Sequence, residues 1–286
     1  MLAQNYSSAQ PIRSGSELKD PAGGLCGLRS GSVQSERLLV SPLLQELGVR
    51  HGFTTRLSGV STGRYESLNL GEKWGDEPDK VLANLRLVES EGGFLAAALC
   101  SVAQVHGTEV ALIDAPERRQ RQADGLATSL PLTLGVYSAD CVCILLADGR
   151  GRVAAVHAGW RGTVAGIAGR AVQALVRLGA EPQELRAALG PSIGPCCFEV
   201  QNDVAAHFAE RVPESLLQLL DNEGEQRTFV DLRLSNRRFL EAAGVPPESI
   251  ADAPPCTHCD RRRFFSYRRD GAGIGQHLAF IVGGGS

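Results

Sequence analysis

Histidine is scarce in this chain, six copies in 286 residues, so each position can be weighed on its own. His106 stands in Gln104-Val105-His106-Gly107. His157 ends a β-prone apolar run and opens Ala158-Gly159-Trp160-Arg161-Gly162. Cys141 closes Ser138-Ala139-Asp140-Cys141 at the start of another apolar run, Val142-Cys143-Ile144-Leu145-Leu146. Two imidazoles and a thiolate suit zinc, and three protein donors leave a fourth position for water, the arrangement of a catalytic site. Zinc brings the pKa of that water to about 7, so hydroxide is available at neutral pH. The same residue types also admit Cys141 as a nucleophile activated by His157. The plainest alternative is a buried thiol beside two hydrogen-bonded histidines.

These residues need elements to hold them. Leu132 to Tyr137, Val142 to Leu146 and Val153 to Val156 are short and apolar, and Asp148-Gly149-Arg150-Gly151 is a turn signal between the last two. A hairpin there sets the start of one strand beside the end of the next, and so brings Cys141 next to His157. Thr163 to Leu178 repeats apolar residues at helical spacing, with Gly179 placed to end the helix. Further helices are expected over Asp203 to Arg211 and Leu234 to Ala243. Further strands are expected over Leu185 to Leu189, Phe264 to Tyr267 and Leu278 to Val282. The expected class is α+β with α/β character, a mixed β-sheet core flanked by helices. Gly159 and Gly162 around Trp160 and Arg161 make a costly segment for a plain connection, and a strand's C-terminal end is where α/β folds place ligands.

Composition bounds the rest. The apolar fraction of 43% is ordinary, and the net charge of −3 leaves no electrostatic footprint for nucleic acid or an anionic membrane. No apolar run approaches a membrane span, and the N-terminus lacks the pattern of a secretion signal. A cytoplasmic location follows as the expectation, with the eight cysteines reduced. Residues 1–36 are polar, rich in glycine and serine, and aperiodic. They read as a flexible extension ahead of a single catalytic domain over 37–286.

The motifs around the three residues resemble the YfiH family, also called the laccase-domain or polyphenol-oxidase-like family. Ser138-Ala139-Asp140-Cys141 and His157-Ala158-Gly159-Trp160-Arg161-Gly162 carry the likeness. His51-Gly52-Phe53-Thr54-Thr55-Arg56, Ser67-Leu68-Asn69-Leu70-Gly71, Gly75-Asp76 and Gln104-Val105-His106-Gly107 extend it. So do Gly190-Pro191-Ser192-Ile193-Gly194-Pro195-Cys196-Cys197, Asn236-Arg237, Cys256-Thr257 and Phe264-Phe265-Ser266-Tyr267-Arg268-Arg269. The resemblance implies a YfiH-like single domain. It also implies a zinc-dependent purine nucleoside phosphorylase that cleaves adenosine, inosine, guanosine and S-methyl-5'-thioadenosine with inorganic phosphate, and that deaminates adenosine. The implied metal ligands fall on His106, Cys141 and His157. The family's older label, copper-dependent polyphenol oxidation, would need many more clustered histidines than this chain has.

For phosphate, Arg56 is the first candidate and Arg161 the second, since a guanidinium matches phosphate bidentately. Arg161 could instead pair with Asp140, and Asp140 could brace a ligand histidine. Cys143 lies two positions from Cys141 and is expected to pack rather than ligate. Where the family usually has Thr-Gly-Arg, this chain has Ile274-Gly275-Gln276. Cys256 and Cys259 with Cys196 and Cys197 suggest a second metal, but the adjacent pair argues against it. His51, His207, His258 and His277 are expected at the surface or at caps. The expected partners are purine nucleosides and phosphate, with no nucleic acid or membrane, in a monomer or small homo-oligomer. The alternatives are a cysteine hydrolase built on Cys141 and His157, a copper-dependent laccase, and a non-enzymatic zinc-stabilised binding protein.

Overall fold

The computed structural model describes residues 36–220, 223–251 and 255–284. The expected flexible extension, 1–36, lies almost wholly outside them. Among the described residues the strands form two six-stranded mixed sheets and one three-stranded sheet. The first runs in the order Leu38–Leu39, His51–Thr54, His277–Val282, Thr133–Ser138, Leu99–Ala103, Arg118–Gln122. The second runs Ile250–Ala251, Arg186–Leu189, Val142–Ala147, Val153–Ala158, Gly125–Thr128, Val110–Leu112. The third pairs Gln226–Val230 with Glu199–Val200 on one side and Leu216–Leu220 on the other.

Alternation along the strands sets the layers. In Val142–Ala147, Cys143 and Leu145 face the first sheet and meet Leu134, Val136, Ala279 and Ile281. Val142, Ile144 and Leu146 face away, onto Ile167, Ala171 and Leu175 of helix Ile167–Arg177 and Leu240 of helix Leu232–Ala242. On the far side of the first sheet, Leu278 and Phe280 pack against Leu85 and Val88 of helix Pro78–Gly92. Fully burying each such aliphatic side chain stabilises by about 1.5–3 kcal/mol before entropy is counted.

The hairpin forms as expected. Asp148 Oδ1 accepts the Arg150 and Arg152 N–H groups at 2.8 and 3.1 Å, with Gly149 and Gly151 at φ 73° and 91°. The resulting register sets Cys143 opposite His157. Two expectations are corrected. The helix over Thr163 to Leu178 is in fact two, Trp160–Val164 and Ile167–Arg177, because Gly166 at φ 81° takes the left-handed conformation between them. Phe264 to Tyr267 is not a strand. Phe264 and Phe265 are buried, and Ser266 caps a short helix, Tyr267–Asp270.

Candidate metal centre and cavity

The three donors arrive from different elements. His157 sits near the end of strand Val153–Ala158, and Cys141 immediately precedes Val142–Ala147. His106 lies in the connection after Leu99–Ala103, at φ 62°. The donor atoms of His106, Cys141 and His157 all lie within 4.8 Å of one another. The two rings meet edge to face with centroids 4.9 Å apart. His157 is 3% exposed, whereas His106 is on the exposed side. The site is thus anchored in the core and open at one edge.

Asp124, which carried no signal in the sequence, organises this group. It is fully buried, and His157 Nδ1 donates to its Oδ1 at 2.9 Å. The backbone N–H groups of Val105, His106 and Gly107 also donate to its carboxylate, at 3.2, 2.9 and 2.6 Å. One carboxylate therefore fixes both the ring of His157 and the loop carrying His106. Since a carboxylate only accepts, Nδ1 of His157 carries the hydrogen, and Nε2 is the nitrogen that faces the site and would bind a metal once deprotonated. Burial works against the charge on Asp124, but the bonds from His157 and from the Gly107 and His106 amides hold its carboxyl below the usual range.

Burial likewise opposes a charge on Cys141, yet the neighbouring His157 and the hydrogen bonds from His106 and His157 pull its thiol well down. Burial opposes the imidazolium of His157 too, and Cys141 and Asp124 outweigh it, raising that pKa. A thiolate facing two imidazoles is a donor set that fits zinc. Gly159 lets them converge, since a Cβ there would stand 2.8 Å from His106 Cδ2 and 3.3 Å from Cys141 Sγ. A Cβ on Gly162 would stand 2.8 Å from the Gly107 carbonyl. Gln104, between strand and loop, makes paired 2.8 Å bonds with the Tyr137 backbone N–H and C=O.

The three donors line a cavity of about 1060 Å³, at the upper end of the size range of small-molecule sites. Trp74 and Tyr267, stacked at 5.8 Å, and Phe198 and Trp160 supply aromatic surface. Lys73, Arg119, Arg161 and Arg268 supply positive charge. Gln276 also lines it.

Several expectations change here. Arg56 does not line the cavity. Its guanidinium lies 4.5 Å from the Phe265 ring centroid, and its Nε donates to the Glu66 carbonyl at 2.7 Å. Arg161 does line it, but packs over Trp160 at 4.3 Å instead of pairing with Asp140. Asp140 braces no histidine. Its carboxylate accepts from Thr257 Oγ1, Ser266 Oγ and Arg268 N at 2.6, 3.0 and 2.7 Å, which ties the 257–268 segment to the base of the hairpin. Cys143 is not part of the donor group. It packs between the sheets, where burial and the nearby Cys141 push its thiol far up.

His51 and His277 are buried. His51 Nε2 accepts the Ser41 N–H at 2.8 Å and Nδ1 donates to the Val49 carbonyl at 2.8 Å. His277 Nε2 accepts the Phe265 N–H at 2.9 Å. Each supplies a backbone partner that a surface position would leave to water.

The chain belongs to the family whose model is described as multi-copper polyphenol oxidoreductase laccase, which matches residues 50–283. It is 41% identical over 245 residues to a purine nucleoside phosphorylase of Deinococcus radiodurans, covering 84% of this chain and 92% of that protein. It is 35% identical over 245 residues to adenosine deaminase RL5 from an unknown prokaryotic organism, covering 82% of this chain and 94% of that one. The crystal structure of the Bacillus licheniformis hypothetical protein YfiH superposes with a TM-score of 0.79 at 30% identity, covering 88% of this chain and 98% of that one. No helix among the described residues is long and apolar enough to cross a membrane.

Proposed function

We infer that this chain is a zinc-dependent purine nucleoside phosphorylase that also deaminates adenosine, with His106, Cys141 and His157 as the metal ligands. One observation carries the reading. A three-donor group with an open edge lies at the wall of a cavity lined by aromatic and cationic side chains, in a chain whose relatives bear both activities in their names. When bound, zinc supplies Lewis acidity at the cavity wall.

The chain's own residues do the rest. Asp124 holds His157 in the tautomer that presents Nε2 and keeps His106 in place. Trp74, Tyr267 and Phe198 offer flat surfaces to a purine. Arg161 offers a guanidinium to phosphate from inside the cavity, whose lining does not include Arg56. Adenosine, inosine, guanosine and S-methyl-5'-thioadenosine are the proposed substrates, giving free base and the ribose 1-phosphate. A thiolate ligand calls for a reducing compartment, and the cytoplasm is the proposed location.

A second reading has its own observation. The order Cys141, His157, Asp124 is also that of a nucleophile, its base and the group orienting the base. The test is incubation of zinc-loaded protein with adenosine, with and without phosphate. Adenine formed only with phosphate, and inosine formed without it, support the proposal. Absence of both overturns it, and a covalent adduct on Cys141 in metal-free protein favours the second reading. Oxidation of a polyphenol by copper-loaded protein alone would point to the laccase.

A further inference from the structure

A second set of donors lies apart from the three. Cys196 and Cys197 follow the loop after strand Arg186–Leu189, and Cys256 and Cys259 stand in Cys256-Thr257-His258-Cys259. Adjacent cysteines lack the usual two-residue gap, which argued against a site from spacing alone. The fold answers that objection. The four Sγ atoms all lie within 4.8 Å of one another, with Cys196 and Cys197 at 3.6 and 3.3 Å from Cys259. Four sulfurs about 2.3 Å from a tetrahedral zinc are about 3.8 Å apart along each edge. All four cysteines are free thiols.

A backbone donor and a cation adjoin the cluster. The Gly194 N–H donates to Cys256 Sγ at 3.1 Å. Gly194 is itself required for the approach, since a Cβ there would meet Cys256 Cβ at 3.2 Å and Cys196 Sγ at 3.3 Å. Four thiolates around a divalent cation leave two negative charges. The Arg233 guanidinium adjoins the cluster, its Nη2 standing 3.6 Å from where a Cβ on Gly194 would lie, and it is held there by bonds to Ser192 Oγ and O at 3.0 and 2.7 Å.

We propose that Cys196, Cys197, Cys256 and Cys259 form a structural tetrathiolate zinc site that clasps the cavity wall to the C-terminal segment. The two strands of the clasp already touch, through the Ser192 to Cys256 bridge. Phe198, Glu199 and Val200 follow one cysteine pair directly and line the cavity, and Tyr267 and Arg268 follow the other. Arg268 Nη1 closes the loop on the Cys197 and Glu199 carbonyls at 3.3 and 3.0 Å. The ion would therefore fix the distance between two walls that the three-donor site leaves unconnected.

The test uses the full chain, kept reduced. In the double variant His106→Ala, Cys141→Ser the first donor set is gone, so any cobalt(II) bound stoichiometrically reports the four cysteines. That variant is expected to take up one equivalent and show the intense thiolate-to-cobalt charge-transfer absorption of a tetrahedral multi-thiolate site. The variant Cys256→Ser, Cys259→Ser is expected to hold one equivalent of zinc less than the parent. The proposal is overturned if the first variant binds no cobalt or shows no charge-transfer band. It is also overturned if freshly purified parent carries a disulfide among the four. Because the readout is absorption in a chain lacking His106 and Cys141, its failure says nothing about the proposed activity.

Discussion

Replacing Asp124 by asparagine tests how the proposed metal centre is held together. In the parent, Oδ1 accepts from His157 Nδ1 and His106 N, and Oδ2 accepts from Val105 N and Gly107 N. Asparagine is nearly isosteric but has one oxygen, so in either orientation its NH₂ faces two donors. If the oxygen stays with His157, the Val105 and Gly107 amides lose their acceptor and the loop carrying His106 is released. If the amide flips, His157 must present the wrong tautomer and its Nε2 lone pair is lost to the metal. Hydrogen bonds to a charged group contribute about 1.5–3 kcal/mol each, so two broken bonds destabilise by roughly 3–6 kcal/mol. Zinc affinity should fall about 10–100-fold, the usual cost of removing a partner of a ligand histidine. Competition against a chromophoric chelator measures the second quantity and urea unfolding of the metal-free protein measures the first. An Asp124→Asn protein that matched the parent in both would refute the argument.

Gly159→Ala separates packing at the centre from overall stability. The backbone at φ −68° accepts alanine, but its Cβ would stand 2.8 Å from His106 Cδ2. We expect at least about a tenfold loss of zinc affinity with little change in the urea midpoint of the metal-free chain. Arg161→Ala should raise KM for phosphate by about 10–100-fold, the loss of one charged contact, while inosine formation from adenosine persists. Equal loss of both activities would move Arg161 out of the phosphate role. His277 gives a pH signature. Burial holds its pKa down to about 4, with repulsion from Arg56 adding to it. The unfolded chain therefore binds a proton that the folded chain refuses, and the stability present above about pH 6.5 is lost as pH falls towards 4, by about 3 kcal/mol in all. Urea unfolding at several pH values should show this slope in the parent and a weaker one in His277→Gln.

Local pattern carried much of this protein. The hairpin, the amphipathic helices and the three scarce donors were legible because apolar periodicity and turn chemistry act over a few residues. Cys141 and His157 could be paired from sequence because a hairpin converts their separation of sixteen positions into adjacency. The break at Gly166 and the buried irregular course of Phe264 and Phe265 were hidden. Helical spacing does not register a single left-handed residue, and an apolar pair looks the same in a strand or a packed loop.

The chain by itself determined which residues could do chemistry, since donor type and softness belong to the side chain wherever it lies. Only the tertiary structure decided who serves them. Asp124 reaches His157 across 33 positions and Asp140 is committed to Thr257, Ser266 and Arg268. Chain neighbours pointed to Asp140, which adjoins Cys141, and not to Asp124, yet Asp124 is the carboxylate that serves His157. The same holds for the four cysteines, whose unpromising spacing becomes a compact cluster when two distant loops meet. A hydrogen bond or a coordination sphere depends on distance in space, and for groups far apart in sequence only the folded path of the backbone sets that distance.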